Sequence, residues 1–152
     1  MPTVDVSFTA LPSHVRTARL VALAVARRTG VSEELLDEVR LAVGEACSRA
    51  VGVNSAVAPE VPISMRLSDD RDCFTVEVTD VGPLEDDPSA AIFASPGSSS
   101  VSSILSNEPE EGMPSGFGLV VIGGLVEQVL VTSDEAGTHV TMAWPAEVPK
   151  AP

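Results

Sequence analysis

Three short segments of this 152-residue chain carry the side chains best suited to chemistry. The first is Leu41-Ala42-Val43-Gly44-Glu45-Ala46-Cys47-Ser48-Arg49-Ala50-Val51, which places a carboxylate and a guanidinium four residues apart. The second is Val76-Glu77-Val78-Thr79-Asp80-Val81-Gly82, where alternating residues end in an aspartate beside a glycine. A carboxylate at the end of a strand can accept a hydrogen bond from an exocyclic amine such as that of adenine, and Gly82 leaves room for a ligand to approach the backbone. The third is Gly112 followed by Gly116-Phe117-Gly118-Leu119. If a helix starts there, its free N–H groups and its dipole make an anion site suited to phosphates. Each feature has a plainer reading: Asp80 capping the turn ahead of Pro83, and Gly116 and Gly118 serving turn geometry alone.

The elements that must position these residues can be read from hydrophobic periodicity. Val4, Val6 and Phe8 alternate and predict an opening strand. Pro12 and Ser13 introduce a helix over about 13–29, with Val15, Ala18, Leu20, Val21, Ala22, Val25 and Ala26 on its apolar face and Gly30 as its stop. Ser32 is placed to cap a second helix over about 33–52, with Glu33 and Glu34 in its first turn, where the dipole favours acids. Its apolar stripe runs through Leu35, Leu36, Val39, Ala42, Val43, Ala46 and Ala50. Val61, Ile63, Met65 and Leu67 alternate, Asp69–Asp72 turn, and Phe74, Val76 and Val78 alternate again, so a hairpin is expected. Residues 82–115 are rich in Ser, Pro, Gly and acids, and a structureless stretch of that length is usually functional or disordered. A short helix from Ser115 to about residue 126 follows. Val129 and Val131, then Val140, Met142 and Trp144, predict a closing hairpin turned at Ser133–Gly137. This order implies an α+β fold, a two-layer sandwich with a mixed, mostly antiparallel sheet and helices on one face. One domain over 1–145 is expected, with a frayed tail over 146–152.

Charge narrows the partners. The formal net charge is −13, and no Lys or Arg lies between Arg71 and Lys150. That half cannot track a phosphate backbone, so nucleic acid and anionic membrane are excluded as expected partners. The longest apolar runs fall far short of a membrane span. The N-terminus shows no secretory pattern, so a cytoplasmic location is expected. Cys47 and Cys73 have neither a disulfide framework nor zinc spacing, and reduced thiols are expected. His14 and His139 have no metal-ligand partner at helical spacing and are read as surface or strand positions. No Ser-His-Asp pattern is evident.

The order and spacing of the three segments, closed by Gly137-Thr138-His139-Val140-Thr141, resemble the Bergerat-type (GHKL) ATP-binding domain. Within that superfamily the chain is similar to the bacterial anti-sigma-factor serine-protein kinases of the RsbW/SpoIIAB type, from about residue 8 to Trp144. The resemblance implies that Glu45 is the catalytic base and that Asp80, supported by Thr138, contacts adenine beside Gly82. It places Gly116, Gly118 and Leu119 at the phosphates and makes residues 84–115 a lid. It also implies ATP or ADP as ligand, and a homodimer that binds a sigma factor of RNA polymerase and a STAS-domain anti-anti-sigma factor, with serine kinase activity on the latter. A catalytically dead scaffold acting only through protein binding is the alternative.

Two departures bear on the chemistry. The kinases carry a Mg²⁺-binding Asn four residues after the Glu, and this chain has Arg49 there. A guanidinium has no lone pair to offer a metal, which argues against Mg²⁺. Arg49 is then expected either to contact a nucleotide phosphate directly or to pair with Glu45 at i,i+4. Asn54 lies off that helical register. The Asp-x-Gly-x-Gly box is also reduced, since Pro83-Leu84 follows Gly82.

Overall fold

The computed structural model describes residues 3–70, 72–82, 126 and 128–146. The expected lid over 84–115 and the expected helix carrying Gly116, Gly118 and Leu119 lie outside the described residues. In chain order the elements are β1 (Thr3–Phe8), α1 (Pro12–Thr29), α2 (Glu33–Val57), β2 (Ile63–Asp70), β3 (Cys73–Asp80), β4 (Gln128–Asp134) and β5 (Gly137–Pro145). The five strands form one sheet in the order β1-β2-β3-β5-β4, and every neighbouring pair is antiparallel. Both helices pack together and against β2 and β3, which gives the expected α+β two-layer fold.

Period-two alternation gives the sheet its inner face. Ile63, Met65, Leu67, Phe74, Val76, Val78, Val140, Met142 and Trp144 are buried, while the residues between them on β3 and β5 are half-buried. Phe74 stacks on Trp144 with ring centroids 6.0 Å apart, across the register pair that joins β3 to β5.

On α1 the buried apolar residues are Val15, Ala18, Ala22 and Ala26, a narrow stripe at helical spacing. Leu20 was expected on that face and is instead 58% exposed. Two residues of helix rotate a side chain by about 200°, so Leu20 points away from both Ala18 and Ala22. Pro12 opens α1, and Gly30 closes it with φ 104°. The Gly30 N–H donates to Ala26 O and Arg27 O, and the Val31 N–H reaches Ala26 O at 3.0 Å. These bonds satisfy carbonyls that the helix end would leave orphaned. Ser32 stands at the start of α2 as expected, but its side chain makes no capping hydrogen bond.

α2 continues to Val57, past the expected end near residue 52. Gly52 reads as a stop in sequence. The turns beyond it are held by tertiary anchors: Val51 and Asn54 are buried, and Asn54 bonds to two other parts of the chain.

Candidate functional site

Antiparallel register sets the site. β5 lies beside β3 and places Thr138 opposite Asp80. α2 crosses the sheet with Arg49 and Asn54 turned inward. Arg49, Asn54, Asp80 and Thr138 are all buried, between 0% and 2% exposed.

These residues form one polar knot. Arg49 Nη1 donates to Asp80 Oδ2 in a buried ion pair. Asp80 Oδ1 accepts the Gly82 N–H at 2.8 Å, and Thr138 Oγ1 donates to Gly82 O at 2.7 Å. Asn54 Oδ1 accepts the Val81 N–H at 3.0 Å, while its Nδ2 donates to Val61 O at 3.0 Å. The segment Asp80–Gly82 is therefore tied to α2 at two points and to β5 at one. Among the described residues no buried side-chain N or O atom lacks a partner, as burial of polar groups requires.

The glycines serve this knot. A Cβ on Gly82 would lie 2.1 Å from Val53 Cγ1, so the open space expected beside Asp80 is filled by α2. A Cβ on Gly137, whose φ is +132°, would meet the Asp80 carbonyl oxygen at 1.8 Å. Only glycine permits β5 to start there.

Glu45 sits on α2 one helical turn before Arg49 and is half-buried. It lines a groove of about 470 Å³ between α1 and α2 together with Ser13, Arg16, Arg19, Leu41 and Ser48. Thus Arg49, Asp80, Gly82 and Thr138 come together, whereas Glu45 opens on a separate groove. Gly116, Gly118 and Leu119 fall outside the described residues. The ion pair that Arg49 forms with Asp80 is a partner that neither expectation for Arg49 included.

Sequence reading also missed two features. One is Asn54, set aside as off-register, which holds the end of β3. The other is a hydroxyl–imidazole–carboxylate chain on the sheet face turned away from the helices. Thr79 Oγ1 lies 2.9 Å from His139 Nδ1, and His139 Nε2 lies 3.0 Å from Asp134 Oδ2. Thr79 and His139 are direct register partners, and the β4–β5 turn brings Asp134 alongside. The signal was the hairpin register, which the Gly137 turn could have fixed. The hydrogen bond from His139, aided by the Ala136 N–H, holds the Asp134 carboxyl below the usual carboxylate range.

Both cysteines are free thiols. Burial pushes the Cys47 thiol up to about 12, against a weaker opposing pull from the Arg19 charge. No group of three or more His, Cys, Asp or Glu side chains among the described residues could hold a metal ion. None of the described helices is long and apolar enough to cross a membrane.

A five-stranded antiparallel sheet with two helices on one face, carrying an acidic strand end beside the second helix, defines a GHKL-type ATPase fold. The chain belongs to the family of histidine kinase-like ATPase domains, whose model matches residues 8–144. Nucleotide binding is the property that this family implies. Among solved structures the chain is similar to the RsbU and RsbW domains of Rv1364c from Mycobacterium tuberculosis. The TM-score is 0.61 at 16% identity, over 97% of this chain and 34% of that one, so this chain spans about a third of that structure's length. No curated protein matches the chain.

The described wall does not fit adenine as it stands. Each oxygen of the Asp80 carboxylate is engaged within the protein, and the approach over Gly82 is covered by Val53. Nor does the donor set favour a metal, because Arg49 offers no lone pair where an Asn ligand would stand.

Proposed function

We propose that this chain is a regulator of the anti-sigma type, which binds a sigma factor of RNA polymerase, a STAS-domain anti-anti-sigma factor, or both, as a cytoplasmic homodimer. Membership of the histidine kinase-like ATPase family supports this reading, as does a fold shared with a structure that contains an RsbW domain. The segment Leu41–Val51 carries the resemblance to anti-sigma kinases. Binding, rather than phosphoryl transfer, is the activity proposed. The observation that carries that choice is Arg49, buried and ion-paired to Asp80 at the position where those kinases hold magnesium. Phosphoryl transfer relies on a bridging metal to neutralise developing charge.

A second reading, kinase activity on a STAS partner, has one observation in its favour. Glu45 is retained and borders an open groove with Arg16 and Arg19, where a carboxylate could take the proton of a target serine.

The test uses purified sigma factors and STAS proteins of the host in co-elution, followed by incubation with γ-labelled ATP and Mg²⁺. Stable capture without label transfer is expected. Label on a STAS serine that disappears in Glu45→Gln would establish the kinase reading instead, and capture of neither class of partner overturns the proposal.

A further inference from the structure

The carboxylate that ends β3 already has a ligand, and that ligand belongs to the same chain. We infer that Arg49 is a tethered occupant of the Asp80 acceptor site, its guanidinium filling the place where the exocyclic amine of a purine would be read. The end of β3 is thereby tied to α2 through a charged side chain of the same chain. The inference rests on the adenine-contacting role that the family resemblance implies for Asp80, and is independent of which protein partner the chain binds.

The chemistry of the two donors is alike. A guanidinium presents N–H groups on a planar sp² carbon, as the amino edge of adenine does, and it adds a full positive charge. With Arg49 and Asp80 only 2% and 1% exposed, the pair lies in a site nearly closed to water. A neutral adenine would have to displace a charged donor and break a buried ion pair, which is unfavourable. The surroundings are built to the same end. The second carboxylate oxygen takes the Gly82 N–H, Thr138 holds the Gly82 carbonyl, and Val53 covers Gly82 itself. Asn54 then fixes Val81 from the last turns of α2.

Calorimetric titration of the wild-type chain with adenosine, ADP and ATP, with and without Mg²⁺, tests the point. No saturable binding is expected at millimolar ligand. Arg49→Ala empties the donor position and is expected to gain adenosine binding that the wild type lacks. Its thermal midpoint should rise with added methylguanidinium and not with ethylammonium, and the wild type should show neither response. Saturable binding of adenosine, ADP or ATP by the wild type overturns the inference, as does a folded Arg49→Ala protein that accepts neither adenosine nor methylguanidinium. Should Arg49→Ala fail to fold, Arg49→Asn takes its place. If neither folds, the wild-type titration decides alone, binding overturning the inference and its absence supporting it. Partner capture is measured separately, so loss of the regulator reading and loss of this inference give different results.

Discussion

Two polar networks flank the central strands, and they differ in almost everything but their chemistry. On the helix side, Arg49 and Asp80 meet in a site closed to water. On the opposite face, Thr79, His139 and Asp134 form a chain whose Asp134 end is 60% exposed. Both join a carboxylate to a nitrogen donor across neighbouring elements. Burial makes the first a fixed structural joint, because neither charge can be released without finding another partner. Solvent makes the Asp134 end of the second replaceable, because water can stand in for a bond lost there. A strand-end carboxylate is thus no guide to ligand binding until its accessibility is known.

The sharpest way to break this contrast is to remove one partner of the buried pair. Asp80→Asn and Arg49→Met each break the buried ion pair from one side, and either is expected to cost about 3–5 kcal/mol in urea unfolding. The double substitution Arg49→Met/Asp80→Asn removes both charges and keeps an oxygen to accept the Gly82 N–H. It should be less destabilised than either single variant, since apolar replacement of a whole buried pair is often close to neutral. Additive losses would show that the two side chains act separately.

Asn54→Ala comes next. It strips partners from the half-buried Val81 N–H and Val61 carbonyl at once, and each loss costs about 1 kcal/mol. Chemical denaturation gives the loss. Amide exchange should quicken first at Val81, the link between α2 and the end of β3.

Cys47 sharpens the same point through pH. Its thiol, raised to about 12 by burial, stays protonated in the folded chain long after an unfolded thiol would ionise. The stability tied to it is complete below the unfolded value and falls as pH rises from there toward about 12. Native Cys47 should resist alkylation at pH 8 while half-buried Cys73 reacts faster. Equal rates would contradict the burial.

Much of this architecture was legible in the sequence, because alternation and helical stripes record which faces are buried. The two hairpins, the Gly30 stop and the inner face of the sheet all follow from that pattern. What was not legible depends on relations between elements. Nothing local places β5 between β3 and β4, yet that order puts Thr138 opposite Asp80. Arg49 and Asp80 each stood out by type, but they are 31 residues apart in the chain. Their pairing is set by the rotation of α2 over β3, which no spacing encodes. The last turns of α2 were hidden for the same reason, since Gly52 argues locally for a stop and the anchors at Val51 and Asn54 are tertiary.

The smallest effect is expected from the exposed network, and its sign is definite. Asp134 is held below the ordinary carboxylate range when folded, chiefly by the His139 hydrogen bond. A carboxylate of that kind contributes stability above its unfolded value, about 3.9, and loses it as pH falls through the lower folded value. Asp134→Asn should therefore flatten the acid limb of the stability curve below about pH 4 and change little at pH 7, because solvent screens an exposed pair. Urea midpoints across pH 2.5–7 would measure this. A loss at neutral pH as large as that of Asp80→Asn would mean that the open face of the sheet is structurally as demanding as the buried knot, and burial would no longer explain the difference between the two networks.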